Sequence, residues 1–218
     1  MYVAPHNRET RIPIIHEAIG HIRFGTLVTV GSDGPIATHV PMFIEALPEP
    51  RGSIYGHIAR ANEQWKKTNT QIPVLATFVG PQAYISPSFY ETKRVTGKVV
   101  PTWQYLAVQA RGLISFTHDR ARLLEIVRAS TKIQEAKNAH PWAVEDAPLD
   151  YVDKMLNAIV GFQFEIAELD GAWKFSQNKN DADLHGVIEG LDDRGDTDVA
   201  SLVRERGGAN GPTGPMQP

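Results

Sequence analysis

The sequence His-Ile-Ala-Arg-Ala-Asn at residues 57–62 has the most evident chemistry in the chain. A strand-like run precedes it, and a short helix-like run with Lys66 and Lys67 follows it. An arginine beside the free N–H groups at the start of a helix can bind a phosphate. The same residues suit a solvated turn in which Asn62 caps the helix, so the local pattern leaves both interpretations open.

Residues 98–105, Lys-Val-Val-Pro-Thr-Trp-Gln-Tyr, place a lysine, a hydroxyl, an indole and a phenol close together. Such a set can hold an anionic group and stack on a flat ring. The alternative is a strand entrance whose aromatic rings belong to the core, and the pattern by itself favours that alternative.

Two shorter patterns offer further polar groups. Residues 83–90 place Ser86 and Ser88 on either side of a proline, where a strand breaks and leaves hydroxyl and N–H groups free. Residues 173–178 end in Gln177 and Asn178, whose amides suit either the edge of a heterocycle or the cap of a strand end.

Several kinds of site have no support in the sequence. The chain contains no cysteine, which excludes disulfides, thiolate nucleophiles and cysteine-bound metals. His16 and His21 are five residues apart, so they do not share the helix face that a zinc pair needs. The sequence has no GxSxG, P-loop or GxGxxG pattern and no anchor for a pair of catalytic carboxylates. We therefore expect no metal, and the sequence assigns no catalytic residue.

Charge is distributed unevenly along the 218 residues, whose net charge is −3. Residues 57–111, which we call the positive island, carry seven basic and two acidic side chains, whereas residues 179–218 carry four basic and eight acidic ones. The aromatic residues within the island are compatible with nucleic-acid binding, but no helix-turn-helix, zinc-finger or RNP pattern accompanies them. The sequence therefore gives DNA binding no direct support.

The elements that must position these residues are mostly short strands. Isoleucines at steps of three and four predict a helix over residues 10–23. Strands are predicted at residues 26–30, 36–44, 53–59 and 73–79, at a run that begins at residue 83, and at residues 99–116, with residues 61–67 as helical turns and residues 91–98 as a loop.

The second half of the chain is predicted to contain more helix. Helices are expected at residues 119–137, 149–160 and 181–206, the last with breaks near Gly190 and Gly195. A strand is expected at residues 161–169, with a hairpin at Asp170-Gly171 and a return over residues 172–177. Strands followed by helices indicate an α+β fold with a mostly β core, and hairpin-length turns favour an antiparallel barrel or sandwich.

Two features of the sequence bear on where the protein is located in the cell. No apolar run approaches the ~20 residues that span a bilayer. The N-terminal sequence MYVAPHNRET lacks the apolar centre of a signal peptide. We therefore expect a cytoplasmic protein that has no membrane partner.

Taken in order, the patterns resemble one known family. Those that carry the resemblance are GHIARAN (56–62), AYISPSFY (83–90), KVVPTWQY (98–105), HPWAVEDAP (140–148), AIVGFQFEI (158–166) and WKFSQNKN (173–180), together with the N-terminal MYVAPHN and GTLVTVGSDGPIATHVPM. This set is similar to the PaiB family of FMN-binding negative transcriptional regulators. The resemblance extends from residue 1 to about residue 191, and Gln104 departs from it where an asparagine is expected.

The resemblance implies an FMN-binding split β-barrel with peripheral helices, related to the FMN-binding domain of pyridoxamine-phosphate oxidases. The domain would comprise residues 1–191, with barrel strands mainly in 26–116 and 161–177. Residues 192–218 lie outside the resemblance, and their composition predicts an acidic helix and a disordered tail. The protein would be a homodimer that holds FMN in a groove at the subunit interface.

The resemblance also assigns cofactor-binding residues. Arg60 and Asn62, helped by Lys98, would face the FMN phosphate, and Ser86 and Thr102 would donate to phosphate or ribityl oxygens. Trp103, Tyr105 and His39 would lie near the ring, Gln177 and Asn178 would close the site, and His57 belongs to the same set.

Three functions are compatible with this set of residues. The family implies a flavin-binding dimer that represses transcription. The fold equally suits a flavin-dependent oxidoreductase that passes electrons from a nicotinamide cofactor to a small acceptor. The least favoured function is a flavin or tetrapyrrole sensor, with His39 or His57 as a haem ligand.

Overall fold

A computed structural model describes residues 1–208 of the chain. Within these residues the strands are β1 (Arg8–Glu9), β2 (Phe24–Gly31), β3 (Gly34–Glu45), β4 (Ser53–Ala59), β5 (Val74–Ile85), β6 (Thr102–Thr117) and β7 (Ile159–Lys174). The helices are α1 (Ile12–Ile22), α2 (Gln64–Lys67), α3 (Glu91–Thr96), α4 (Arg120–Glu135), α5 (Leu149–Leu156), α6 (Asp181–Asp193) and α7 (Thr197–Arg206). None of these helices is long and apolar enough to span a membrane.

The strands form one sheet in the order β1-β7-β4-β3-β2-β5-β6, and β7 also pairs with β6. This last pairing closes six of the strands into a ring. Strands β2 and β3 form an antiparallel hairpin that places Thr26 opposite His39, and β4 and β7 pair with His57 opposite Gly161. The predicted fold class, a mostly β split barrel with peripheral helices, is confirmed.

The chain forms two compact units, each made of separate stretches. The terminal unit contains residues 1–18, 79–108 and the chain from residue 170 onward, and the central unit contains residues 19–78 and 109–169.

The core of the central unit follows from strand alternation. Leu27 is fully buried on β2 between two less buried neighbours, as the period of two predicts. Helix α4 begins at its N-cap, Asp119, whose carboxylate accepts a hydrogen bond from the N–H of Arg122. Ile126 of the same helix packs on Phe43 and Tyr55, and burying one such side chain contributes about 1.5–3 kcal/mol.

In the terminal unit, the first strand, β1, contacts the last described helix, α7. Helix α7 buries its apolar side chains Val199, Ala200 and Val203. Arg206, which is almost fully buried at the end of that helix, lies 3.4 Å from a carboxylate oxygen of Glu9 in β1. The terminal ammonium of Met1 donates to Asp170 at 2.7 Å.

The predicted hairpin at Asp170-Gly171 is wrong, because β7 continues through both residues. Gly171 pairs with Glu9 of β1, and Asp170 is held by the Met1 ammonium. Strand β5 likewise continues through Gly80 and Pro81, where a strand end was expected.

Three further boundaries differ from the prediction. Residues 91–96 form α3 where a loop was expected, and Gly97 ends that helix in the left-handed conformation, with φ of 68°. Helix α5 ends at Leu156, since Ile159 already pairs with Ala59 of β4. Helix α6 continues through Gly190, whereas the break near Gly195 does form.

The predicted domain boundary at residue 191 stays a prediction. In the predicted disordered tail, residues 209–218 lie outside the described residues.

Candidate functional site

The turn at residues 57–62 in the central unit is held by its own polar groups. Arg60 donates its backbone N–H to the oxygen of Ala158 at 2.8 Å. The side chain of Asn62 accepts from the N–H of Gln64 at 3.1 Å and donates to Thr38 Oγ1 at 2.9 Å. Asn62 therefore accepts from the first N–H of α2, although the N-cap of this helix is Glu63 and not Asn62.

Gln64 anchors this turn to the sheet. Its buried Nε2 lies within hydrogen-bond distance of three acceptors on β2 and β3, namely Leu27 O at 3.2 Å, Thr29 Oγ1 at 3.1 Å and Ile36 O at 3.1 Å. A primary amide has two hydrogens, so these acceptors share them. The chain that carries Arg60 is thereby fixed in place.

The guanidinium of Arg60 can donate further hydrogen bonds. Its Nη2 donates to Ile159 O at 3.2 Å, while its Nε is buried and has no hydrogen-bond partner. Within residues 1–208, no carboxylate lies within ion-pair distance of this guanidinium. Because a buried donor without an acceptor destabilises a protein, an anionic ligand is well suited to this position.

The two histidines of the predicted set have different surroundings. His57 lines an apolar cavity of about 180 Å³ whose other lining residues are Val127, Trp142, Val144, Ala147, Tyr151, Val152, Met155, Leu156 and Ile159. Burial lowers the pKa of His57, so its imidazole is neutral at neutral pH. His39 is exposed on β3, and its Nδ1 lies 2.8 Å from Thr26 Oγ1.

The terminal unit contains a second cavity of about 180 Å³, which we call the polar cavity. Its lining consists of His6, Asn7, Tyr90, Val100, Thr102, Gln104, Lys174, Ser176, Asn178 and Lys179. The Nζ of Lys174 donates to Thr102 Oγ1 at 2.7 Å and lies 5.8 Å from the centre of the Tyr105 ring. Burial lowers the pKa of Lys174.

Gln104 and Ser176 form the buried wall of the polar cavity. The Nε2 of Gln104 donates to Ser176 Oγ at 2.5 Å, and its Oε1 has no partner. Ser176 has a φ of 64°, in the left-handed region that few side chains adopt. The family pattern predicts an asparagine at position 104, and Gln104 provides a side-chain amide there instead.

Three other predicted residues have local contacts of their own. Trp103 is half exposed, and its ring makes an edge-to-face contact with Tyr84 at 6.3 Å. Gln177 accepts from the N–H of Phe175 at 2.8 Å and donates to Trp173 O, which makes it a cap of the strand end. Ser86 Oγ accepts from the N–H of Ser88 at 3.2 Å, and Lys98 is exposed.

The predicted residues divide between the two units. The central unit holds His39, His57, Arg60 and Asn62, and the terminal unit holds Ser86, Lys98, Thr102, Trp103, Tyr105, Gln177 and Asn178. In the terminal unit, Thr102 and Asn178 line the same cavity, and Tyr105 lies near its lysine. Their joint role in binding a cofactor stays a prediction.

Sequence reasoning missed eight of the ten residues that line the polar cavity, among them Gln104, Lys174, Ser176 and Lys179. Strand alternation was an available signal for one pair, since Thr102 and Gln104 share one side of β6. Ser176 lies beyond the end of β7 in the left-handed conformation, where the alternation of a strand does not apply. The segments meet across 72 residues of sequence, and nothing local specifies that meeting.

In the structure, most of the basic side chains of the positive island are paired with carboxylates. Four of its seven basic side chains lie near a carboxylate: Lys66 and Lys67 with Glu63, Arg94 with Glu91, and Arg111 with Glu168. These exposed pairs contribute little to stability and weaken the local positive field. The island also contains residues of both units.

Comparisons with known proteins cover most of the chain. A family described as "Putative FMN-binding domain" matches residues 1–168. An uncharacterized protein of Emericella nidulans is 34% identical, over 95% of this chain and 98% of that protein. The Bacillus subtilis protein named "Protease synthase and sporulation protein PAI 2" is 32% identical, over 88% of this chain and 89% of that protein. The solved structure of the flavocytochrome Anf3 from Azotobacter vinelandii matches with a TM-score of 0.58 and 12% identity. The match covers 84% of this chain and 78% of the Anf3 chain. At this identity it shows only that the two chains share a fold.

Proposed function

Because this chain belongs to the family described as "Putative FMN-binding domain", we propose that it is a cytoplasmic, homodimeric flavoprotein of the PaiB type that represses transcription. FMN is the cofactor of this family, so the prediction of FMN is confirmed, as is the resemblance to PaiB. The regulatory role is supported by the family resemblance and by the name of the Bacillus relative, a protease synthase and sporulation protein.

The observation that carries the binding proposal is the buried, unpartnered Nε of Arg60. A phosphate ester is the acceptor that this guanidinium lacks, and the residues present therefore fit FMN. Arg60 would hold the phosphate, and Asn62 would keep the turn in position. The remaining predicted residues keep their proposed roles toward phosphate, ribityl chain and ring. Bound FMN supplies electron and hydride transfer.

Substitution Arg60→Glu tests the phosphate assignment. The change removes a charge-assisted hydrogen bond and places a like charge beside the phosphate. Losing such a bond costs about 1.5–3 kcal/mol, so we expect FMN affinity to fall roughly tenfold to a hundredfold. Quenching of flavin fluorescence during titration measures the affinity. Arg111→Glu makes the same charge change at an exposed position and should leave affinity near that of the wild type. Equal affinities for all three proteins would remove Arg60 from the site.

Direct repression requires sequence-specific DNA binding. Selection from a pool of random duplexes at low salt should enrich one sequence, and its affinity should fall as salt rises because counterions are released from the DNA phosphates. A pool that remains unenriched at low salt would contradict direct repression, while leaving repression through a partner protein in place.

The surroundings of His57 favour an oxidoreductase as the second candidate function. A neutral imidazole that lines an apolar cavity can accept or donate a proton there. Anaerobic mixing of the FMN-loaded protein with NADH or NADPH should then bleach the visible absorption of the flavin. An unchanged spectrum with both nucleotides would exclude this simplest form of the activity.

A further inference from the structure

The polar cavity contains a lysine that lacks an acidic partner. The side chain of Lys174 is half-buried. Within residues 1–208 its Nζ makes one hydrogen bond, to the neutral hydroxyl of Thr102. No carboxylate of these residues lies within ion-pair distance of its Nζ. A partly desolvated ammonium is stabilised by an opposite charge, and burial alone already lowers its pKa.

Two hydroxyl hydrogens complete the donor set of the polar cavity. Thr102 Oγ1 accepts from Lys174 at 2.7 Å, and Ser176 Oγ accepts from Gln104 at 2.5 Å. Each hydroxyl therefore uses a lone pair in this contact and keeps its own hydrogen for another acceptor. Together with the remaining N–H groups of Lys174, the cavity offers several donors from three elements of the terminal unit.

Gln104 supplies the observation that points most directly to a ligand. The residue is 1% exposed, it lines the polar cavity, and its Oε1 has no hydrogen-bond partner. Leaving a buried amide atom unpaired costs about 1–3 kcal/mol. An oxyanion that keeps one proton would supply the donor that this oxygen lacks and accept the donors described above.

The second lysine adds positive charge to the same cavity. Lys179 lies with its Nζ 4.5 Å from the centre of the Tyr90 ring. The acidic group that interacts with both residues is Asp183, whose oxygens accept from the N–H and the hydroxyl of Thr92, each at 2.8 Å. Asp183 keeps its negative charge and offsets that of Lys179, whereas Lys174 has no carboxylate within ion-pair distance among residues 1–208, so the polar cavity keeps a net positive charge.

We propose that the polar cavity binds a small oxyanion group of the phosphate class, with Lys174, Thr102 and Ser176 as donors. Its volume of about 180 Å³ lies below the ~300–1,000 Å³ of pockets that enclose a drug-sized ligand, so it suits one such group rather than a whole flavin. The group belongs either to a separate small molecule or to a phosphate ester such as that of FMN.

Calorimetric titration of the full chain with inorganic phosphate tests the site. We expect Lys174→Met to weaken phosphate binding roughly tenfold or more, because it removes the charged Nζ while keeping an unbranched side chain only one atom shorter. Lys93→Met removes an exposed lysine of the same unit and should bind phosphate as the wild type does. Thr102→Val, an isosteric change, should weaken binding several-fold even if Lys174→Met does not fold. Absence of phosphate binding, or equal binding by Lys174→Met and wild type, would overturn the proposal.

A parallel titration with FMN and with riboflavin, which has no phosphate, identifies the source of the oxyanion. If Lys174→Met weakens FMN binding and leaves riboflavin binding unchanged, the cavity holds the phosphate of the flavin, and the assignment of that phosphate to Arg60 is wrong. If it changes neither, the cavity holds a separate oxyanion. Failure of all flavin binding would contradict the proposed function, but the phosphate titration would still test the cavity.

Discussion

At the scale of single residues, the buried polar atoms without partners concentrate in the motifs that carry the family resemblance. Among the described residues these atoms are Arg60 Nε, Gln64 Oε1, Gln104 Oε1 and Trp173 Nε1. Arg60, Gln104 and Trp173 lie within the quoted motifs, and Gln64 follows two residues after one of them. Buried unsatisfied groups are uncommon in native proteins, and their concentration here is consistent with the proposed binding role of these motifs.

Glu9 provides a test of stability at the same scale. Its Oε1 accepts from the N–H groups of Thr10 and Arg11 at 3.0 and 2.9 Å, and its Oε2 faces Arg206. Burial alone raises the pKa of this carboxyl, but the hydrogen bonds from Arg11 and the charges of both arginines outweigh burial, so the pKa lies below its ordinary value of 4.5. The resulting stability is fully present above that value and is lost as pH falls through the lower pKa of the folded state.

We therefore expect Glu9→Gln to lower the free energy of unfolding at neutral pH by about 1–3 kcal/mol, since it removes the charge that accepts from Arg11 and faces Arg206. The loss of stability below pH 4.5 should also become shallower than in the wild type. Urea denaturation over a series of pH values measures both effects. Glu45→Gln, at an exposed position, serves as the control. Parallel pH profiles for Glu9→Gln and wild type would contradict the role given to Glu9.

At the scale of elements, α6 shows why a glycine need not break a helix. A Cβ on Gly186 would lie 2.1 Å from the backbone oxygen of Phe89, and a Cβ on Gly190 would lie 2.4 Å from its ring. The two glycines, four residues apart, let the 3-10 turn at Pro87–Phe89 approach the helix closely. Gly190 thus serves packing, which explains why the predicted break there is wrong.

Gly186→Ala should destabilise the protein even though alanine is the better helix former. The intrinsic gain is at most about 1 kcal/mol, whereas displacing a packed backbone typically costs about 1–3 kcal/mol. The matched control is Gly20→Ala in α1, where a Cβ meets nothing within 4 Å and a gain of up to about 1 kcal/mol is expected. Thermal denaturation of both variants measures the two shifts, which should have opposite signs. A stabilised Gly186→Ala protein would show that the turn moves freely.

At the scale of the whole molecule, the chain leaves large apolar side chains of its strands in solvent. Val79 on β5 and Trp103 on β6 are 54% and 51% exposed, and Leu113, also on β6, is 50% exposed. Exposed apolar side chains on strands are compatible with a protein–protein interface such as that of the proposed homodimer.

Light scattering over a range of protein concentrations tests the oligomeric state. We expect a solution mass of twice the 24.1-kDa mass of the chain, because burial of apolar strand surface favours association. The FMN-free and FMN-loaded proteins should be measured side by side, since ligand bound at an interface stabilises the dimer. A single-chain mass across the whole range, with and without FMN, would contradict the dimer.

The sequence by itself determined the elements whose signals are local. The isoleucine spacing of α1, the hairpin of β2 and β3, strand β4 and the capped start of α4 all form as predicted, because periodicity and turn chemistry act over a few residues. The ordered motifs also identified the family and its cofactor.

Only the tertiary structure decided which distant segments meet. Strand β7 continues past Asp170-Gly171 because β1, more than 160 residues earlier in the sequence, pairs with it. The polar cavity joins Thr102 to Lys174 and Gln104 to Ser176, each across 72 residues. Such contacts depend on strand pairing and closure of the sheet, whose free energy comes from the whole core rather than from any local preference, and so they leave no signature in the neighbouring residues.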